Sequence, residues 1–186
     1  MKMFLKQSLL AATLLLVGAG SAFAFELTSP NLKDGATVGN EFVFNSFGCT
    51  GGNISPALNW SNAPKDTKSF AVFAHDPDAP TGGAGFWHWA VINIPASVTS
   101  IAKADGEMGK PQTKSGLQQI STDFGTPGWG GPCPPKGDKP HRYVFTVYAL
   151  KADKIDLPPT ATASFAGFMT NVNTLDKASL TATYGH

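Results

Sequence analysis

Three polar side chains stand where apolar runs begin or end. Asp76 closes "SFAVFAHD", His88 opens "HWAVINIP" and His141 opens "HRYVFTVYAL". A carboxylate beside an imidazole can orient the ring and decide which nitrogen carries the proton. Imidazole N–H groups together with loop amides can hold an anion. Side chains two apart on a strand share a face. Asp76 then goes with Phe70, Val72 and Ala74, His88 with Ala90, Ile92 and Ile94, and His141 with Tyr143, Phe145 and Val147. If the first two strands are antiparallel neighbours and the third runs with the second, all three polar groups meet at one rim. A carboxylate repels an anion, so Asp76 needs another role there. It can accept a hydrogen bond from a histidine, or meet the cationic end of a zwitterion.

Each segment also has a plainer reading. "DPDAP" at 76–80 suits a turn, because Asp-Pro units favour turns. His88 suits a core histidine, and "GGPCPPKGDKPH" at 130–141 a connector stiffened by proline. Two catalytic readings fit the residue types: Cys133 with His141 as nucleophile and base, and Asp76 with both histidines as a metal site. The metal reading lacks a short His-x-x-x-His spacing, since Asp76 and His88 lie twelve residues apart. The expectation is a binding protein with no metal and no cofactor. What argues for a site is convergence: buried polar groups need partners, and three segments aimed at one spot must find them in each other or in a ligand.

The elements that would position these groups are short apolar runs separated by Gly, Pro, Asn and Asp, the pattern of an all-β chain. Strands are expected at Phe25–Ser29, Glu41–Phe44, Ala57–Trp60, Ser69–His75, Trp87–Ile94, Tyr143–Leu150 and Leu180–Tyr184. The run from Trp87 is apolar on both faces, with Trp87, Trp89 and Val91 on one and Ala90, Ile92 and Ile94 on the other. It is expected to be central and covered on both sides. Phe165, Phe168, Met169, Val172 and Leu175 recur at helical spacing, with Thr162 or Ser164 available as a cap. That stripe is expected to pack into the core. Residues 97–131 read as a long irregular, glycine-rich excursion.

The chain has 186 residues and opens with Lys2, Lys6, a short apolar run and "AFA" at 22–24. This is the pattern of a secretory leader cut after Ala24, too short for a comfortable membrane span. The expectation is a leader at 1–24 and one domain at 25–186, periplasmic or secreted, without stable membrane insertion. Without Lys2 and Lys6, 12 of the 14 basic side chains remain against 13 acidic ones, a net charge of −1. That balance offers no basic stripe for nucleic acid. Cys49 and Cys133 are the only cysteines, 84 residues apart. In an oxidising compartment a disulfide is the natural reading, and closing so long a loop would contribute roughly 4–5 kcal/mol in the chain-entropy model. A free reactive thiol is the alternative.

Four stretches, "NISPALNW" at 53–60, "DPDAP" at 76–80, "HWAVINIP" at 88–95 and "GPCPPKGDKPHRYVFTVYAL" at 131–150, occur in the order of one family. On them the chain resembles the phosphatidylethanolamine-binding proteins, within them the bacterial Raf-kinase-inhibitor-like branch. The resemblance implies an antiparallel β-sandwich with a small anion pocket at one rim. Carried over by position, the pocket takes Asp76, Pro80, His88, the backbone of Gly131, Pro132 and Cys133, and then His141 and Tyr143. The chain departs from the animal members after Pro80, where "TGGAGF" is shorter and lacks a tyrosine. Phe86 also stands where the animal motif has tryptophan, which changes the pocket mouth. A Cys49–Cys133 bridge would lie beside the pocket and fix its second loop. The implied ligand is a small anionic or zwitterionic phosphate-type molecule. The family also implies an alternative, an inhibitor or interaction protein acting on a protease, kinase or host signalling partner, with a homodimer left open. "NIS" at Asn53 fits a glycosylation acceptor but belongs to a matched stretch, where a structural role is expected. "TDFG" at 122–125 matches a kinase motif only by coincidence.

Overall fold

The computed structural model describes residues 23–186, and the expected leader falls almost wholly outside them. Two antiparallel sheets face each other. The larger has five strands in the order β6, β4, β3, β7, β8, and the smaller has three in the order β1, β2, β5. β3 (Ser69–Asp76) is central, with β4 (Phe86–Pro95) and β7 (His141–Leu150) antiparallel on its two sides, so β4 and β7 run the same way. β6 (Gln118–Gln119) and β8 (Thr174–Tyr184) form the edges. The small sheet is β1 (Glu26–Thr28), β2 (Leu58–Ser61) and β5 (Ser100–Ile101).

The apolar content of β3 explains its place. Every residue from Ser69 to Asp76 is buried except His75, as a strand covered on both faces requires. Phe70, Val72 and Ala74 pack with Phe145, Val147, Leu58 and Trp60 between the sheets. Ala71 and Phe73 pack on the opposite face with Ala90, Ile92, Ile155 and Ala166. Full burial of a side chain such as Val72 or Phe145 contributes roughly 1.5–3 kcal/mol.

Three expectations about elements are corrected. Residues 41–44 form no strand; a single 3-10 turn spans Asn40–Phe42, the carbonyls of Asn40, Glu41, Val43 and Phe44 accept from the N–H groups of residues 51–54, and the Phe44 N–H donates to the Pro132 carbonyl. The helix, α1, spans Ala163–Asn173 and is capped by Thr162, whose hydroxyl accepts from the Phe165 N–H. Its buried face is Ala163, Ala166, Gly167 and Thr170, not the phenylalanine stripe. Phe168 is 61% exposed and Val172 56%, while Leu175 belongs to β8. Periodicity finds the helix but does not choose between its faces. Here the small residues win, because they let the helix approach the sheet until a Cβ on Gly167 would touch the Trp87 ring.

The third correction concerns β4. Ala74 pairs with Trp89 and His75 with Trp87, so His88 is an inserted residue opposite neither. A second irregularity falls where Phe70 pairs with Ile94 and Val72 with Val91, around Asn93 in the left-handed region at φ 56°. Each inserted residue reverses the alternation beyond it. Trp87 therefore packs with Ala90 and Ile92 on the helix side, whereas Trp89, Val91 and Ile94 lie between the sheets.

The excursion from 97 to 131 carries two short strands and several anchors. Trp129 is fully buried and its indole N–H donates to the Phe42 carbonyl at 3.2 Å. Buried Asp105 accepts from the N–H and hydroxyl of Ser115.

Candidate functional site

The rim where β3 ends and β4 and β7 begin carries a cavity of about 250 Å³. Asp76, Pro80, His88, Cys133, His141 and Tyr143 line it. Strict alternation would have sent His88 to the helix side with Ala90. The β-bulge returns it to the face of Asp76, so the convergence depends on an irregularity that the sequence pattern does not display.

Asp76 is the hub of the first wall. One of its carboxylate oxygens accepts from the N–H groups of Asp78 and Ala79, at 2.8 and 3.1 Å, closing the turn that "DPDAP" suggested. The other accepts from His141 Nδ1 at 2.8 Å, and both side chains are buried. This sets the proton on Nδ1 of His141 and leaves Nε2 facing outward, 3.5 Å from an Asp138 oxygen. Asp78 in turn binds Arg142 through both carboxylate oxygens, at 2.7 and 2.8 Å, and its Oδ2 also accepts from the Arg142 N–H. The guanidinium hydrogen bonds hold the Asp78 carboxyl down at about 2. The chain's single guanidinium is thus already paired at the surface.

His88 sits in a different environment. Its Nδ1 lies 2.6 Å from the Gly130 carbonyl oxygen, and the Gly130 N–H donates back to the His88 carbonyl at 3.0 Å. Burial pushes the ring's pKa down to about 4. Tyr143 packs edge-on against it at 5.1 Å between centroids. Burial raises the Tyr143 phenol, whose hydroxyl has no hydrogen-bond partner among the described residues.

The second wall is covalent. Cys49 and Cys133 form a disulfide with Cα atoms 6.0 Å apart. Cys133 is therefore no free thiol, and a nucleophile–base pair with His141 is not formed. Gly131 and Pro132 lie behind this wall and do not line the cavity. The Gly131 N–H donates to Asn53 Oδ1 at 2.8 Å, and the Pro132 carbonyl accepts from the Phe44 N–H. The expected anion donor at Gly131 is thus spent on the protein. A Cβ on Gly131 would collide with the backbone of Phe42 and Phe44, so the glycine permits this close approach. Asn53 also donates to the Trp129 carbonyl, so its amide clamps the loop at 129–131.

Sequence reasoning missed Phe47 and Phe124 in the lining. Phe47, Phe86 and Phe124 complete the cavity with Pro134 and Pro135. Phe124 packs on Phe44, Phe86 and His88 with centroids 4.7, 4.9 and 5.4 Å away. Phe86, which the resemblance placed at the pocket mouth, lines the cavity two residues before His88 on the same face. Phe47 is recoverable only through the pairing of its neighbour Cys49. Phe124 lies inside the "TDFG" stretch, and no local signal marks it.

Among the described residues, one group of His, Cys, Asp or Glu brings its donor atoms within 4.8 Å of one another: Cys49, Cys133 and His186. Its two sulfurs are bonded to each other. Asp76, His88 and His141 do not make such a cluster.

The family model described as phosphatidylethanolamine-binding protein matches residues 28–185. The UPF0098 protein YbcL of Escherichia coli K12 is 47% identical over 166 residues, covering 89% of this chain and 90% of the relative. UPF0098 protein YbhB of the same strain is 43% identical over 159 residues, covering 86% and 99%. The crystal structure of Escherichia coli YbcL, titled a new member of the mammalian PEBP family, superposes with a TM-score of 0.82 over 87% of this chain and 98% of that one.

Proposed function

The chain belongs to the phosphatidylethanolamine-binding protein family, and on that premise we propose that it is an exported, non-catalytic binding protein whose rim cavity takes a small phosphate-type ligand. The observation that carries this reading is the convergence of Asp76, His88 and His141 on one small cavity with otherwise mostly apolar walls. Such a cavity excludes bulk water around a few placed polar groups, the usual build of a small-molecule site. Asp76 spends both oxygens inside the protein, which lessens its repulsion of an anion. His141, held by Asp76, presents Nε2 and becomes a donor when that nitrogen is protonated.

One feature supports a non-catalytic role: the two cysteines are joined in the disulfide, so the Asp76–His141 pair has no thiol to activate. Export is supported by the apolar run ending in "AFA" at 22–24 and by the disulfide. No helix among the described residues is long and apolar enough to cross a membrane.

Calorimetric titration with inorganic phosphate tests the proposal. One saturable site is expected, lost in His141→Gln and retained in Phe168→Ala on the far face. Absence of saturable binding, or binding indifferent to His141→Gln, would overturn it.

A further inference from the structure

The second nitrogen of His88 sets a selection rule within the phosphate-type reading proposed above. The Gly130 carbonyl only accepts, so the His88 proton resides on Nδ1, 2.6 Å from that oxygen. Nε2 is then a bare lone pair. It finds no hydrogen bond to the protein among the described residues and is not one of the sealed, unpartnered buried atoms, which are Trp60 Nε1, Tyr143 Oη and Thr170 Oγ1. Its opening is the cavity that the ring lines. The buried ring also resists a second proton: its pKa sits near 4.

We propose that His88 Nε2 is an obligatory acceptor, so that the cavity selects ligands bringing a proton of their own to that nitrogen. An oxyanion without a proton would set oxygen lone pairs against the Nε2 lone pair at a site shielded from water. An oxyanion with a P–OH satisfies Nε2 with that group. An ammonium group satisfies Nε2 equally well. The shared chemistry is an anion with an attached hydrogen-bond donor, and the donor has two sources.

Titration with four ligands separates them. Phosphate keeps a P–OH at neutral pH and sulfate has none, so phosphate should bind roughly 10- to 100-fold tighter, the cost of an unmet buried acceptor. At pH 8, above the second ionisation of a phosphomonoester, phosphoethanolamine brings N–H donors and phosphocholine none. Phosphoethanolamine should again be tighter. His88→Gln, whose amide can turn an N–H into the cavity, should narrow the phosphate–sulfate gap to within about threefold. If that variant does not fold, histidine nitrogen NMR of the wild type still decides, with His88 expected to carry its proton on Nδ1. Equal binding of phosphate and sulfate by the wild type, or a proton on Nε2, overturns this inference alone. Binding of none of the four overturns the phosphate-type reading and this inference with it.

Discussion

The wall from Asp76 to Pro80 is held by polar bonds, and the wall from Cys133 to Pro135 by a covalent bridge and by the backbone contact of Gly131 behind it. In the first, Asp76 ties the turn to His141, and Asp78 ties it to Arg142. In the second, the Cys49–Cys133 bridge and the contact of Gly131 with Phe42 and Phe44 set the position. His88 stands between them and belongs by its hydrogen bond to the second, through Gly130. The first wall is therefore sensitive to charge and pH, and the second to reduction. A ligand between them touches the two imidazoles that report on each side.

The contrast can be broken from either end. The largest effect should come from Cys49→Ser with Cys133→Ser, which releases an 84-residue loop and should cost about 4 kcal/mol of stability in the chain-entropy model. Denaturant unfolding checks it, with the expected loss reproduced by a dithiol reductant on the wild type. Next, Asp76→Ala removes the acceptor of three hydrogen bonds and leaves buried His141 unpaired, for a loss of about 3 kcal/mol. The same measurement reads it, and Asp76→Asn should recover part by restoring an acceptor for the turn. In acid, His88 becomes the reporter. Its folded pKa of about 4 lies below the ordinary 6.5, so the unfolded chain takes the proton first as pH falls. Stability from this group is full above about pH 6.5 and is lost down to about pH 4, by at most about 3 kcal/mol. Unfolding midpoints across that window should fall more steeply for the wild type than for His88→Gln. The smallest effect is expected for Arg142→Ala, whose side chain is 57% exposed. Its unfolding midpoint should be unchanged within error despite the bidentate geometry with Asp78.

The first wall was legible in the sequence because its determinants are local. An Asp-Pro turn with the carboxylate accepting from the next two N–H groups is written in five residues. The central strand was legible for the same reason, in an uninterrupted apolar run. The second wall was only partly legible. Two cysteines in a chain with a leader pattern imply a bridge, but nothing local brings Phe47 and Phe124 together with Phe86, since their meeting depends on chain segments far apart. The bulge at His88 hid in an apolar run where alternation carries little information, both faces being buried. The helix stripe misled for a related reason: hydrophobic spacing marks a helix, whereas steric closeness to Trp87 chose the face of Ala163, Ala166 and Gly167.

Histidine ring signals followed by NMR during a titration with inorganic phosphate test most directly whether the three rim segments form one receptor. The chain has four histidines, and His75, outside the cavity against Trp87, serves as the internal control. The rings of His88 and His141 should shift together with one dissociation constant while His75 stays in place. Shifts confined to one cavity ring, or shared equally with His75, would contradict a common site.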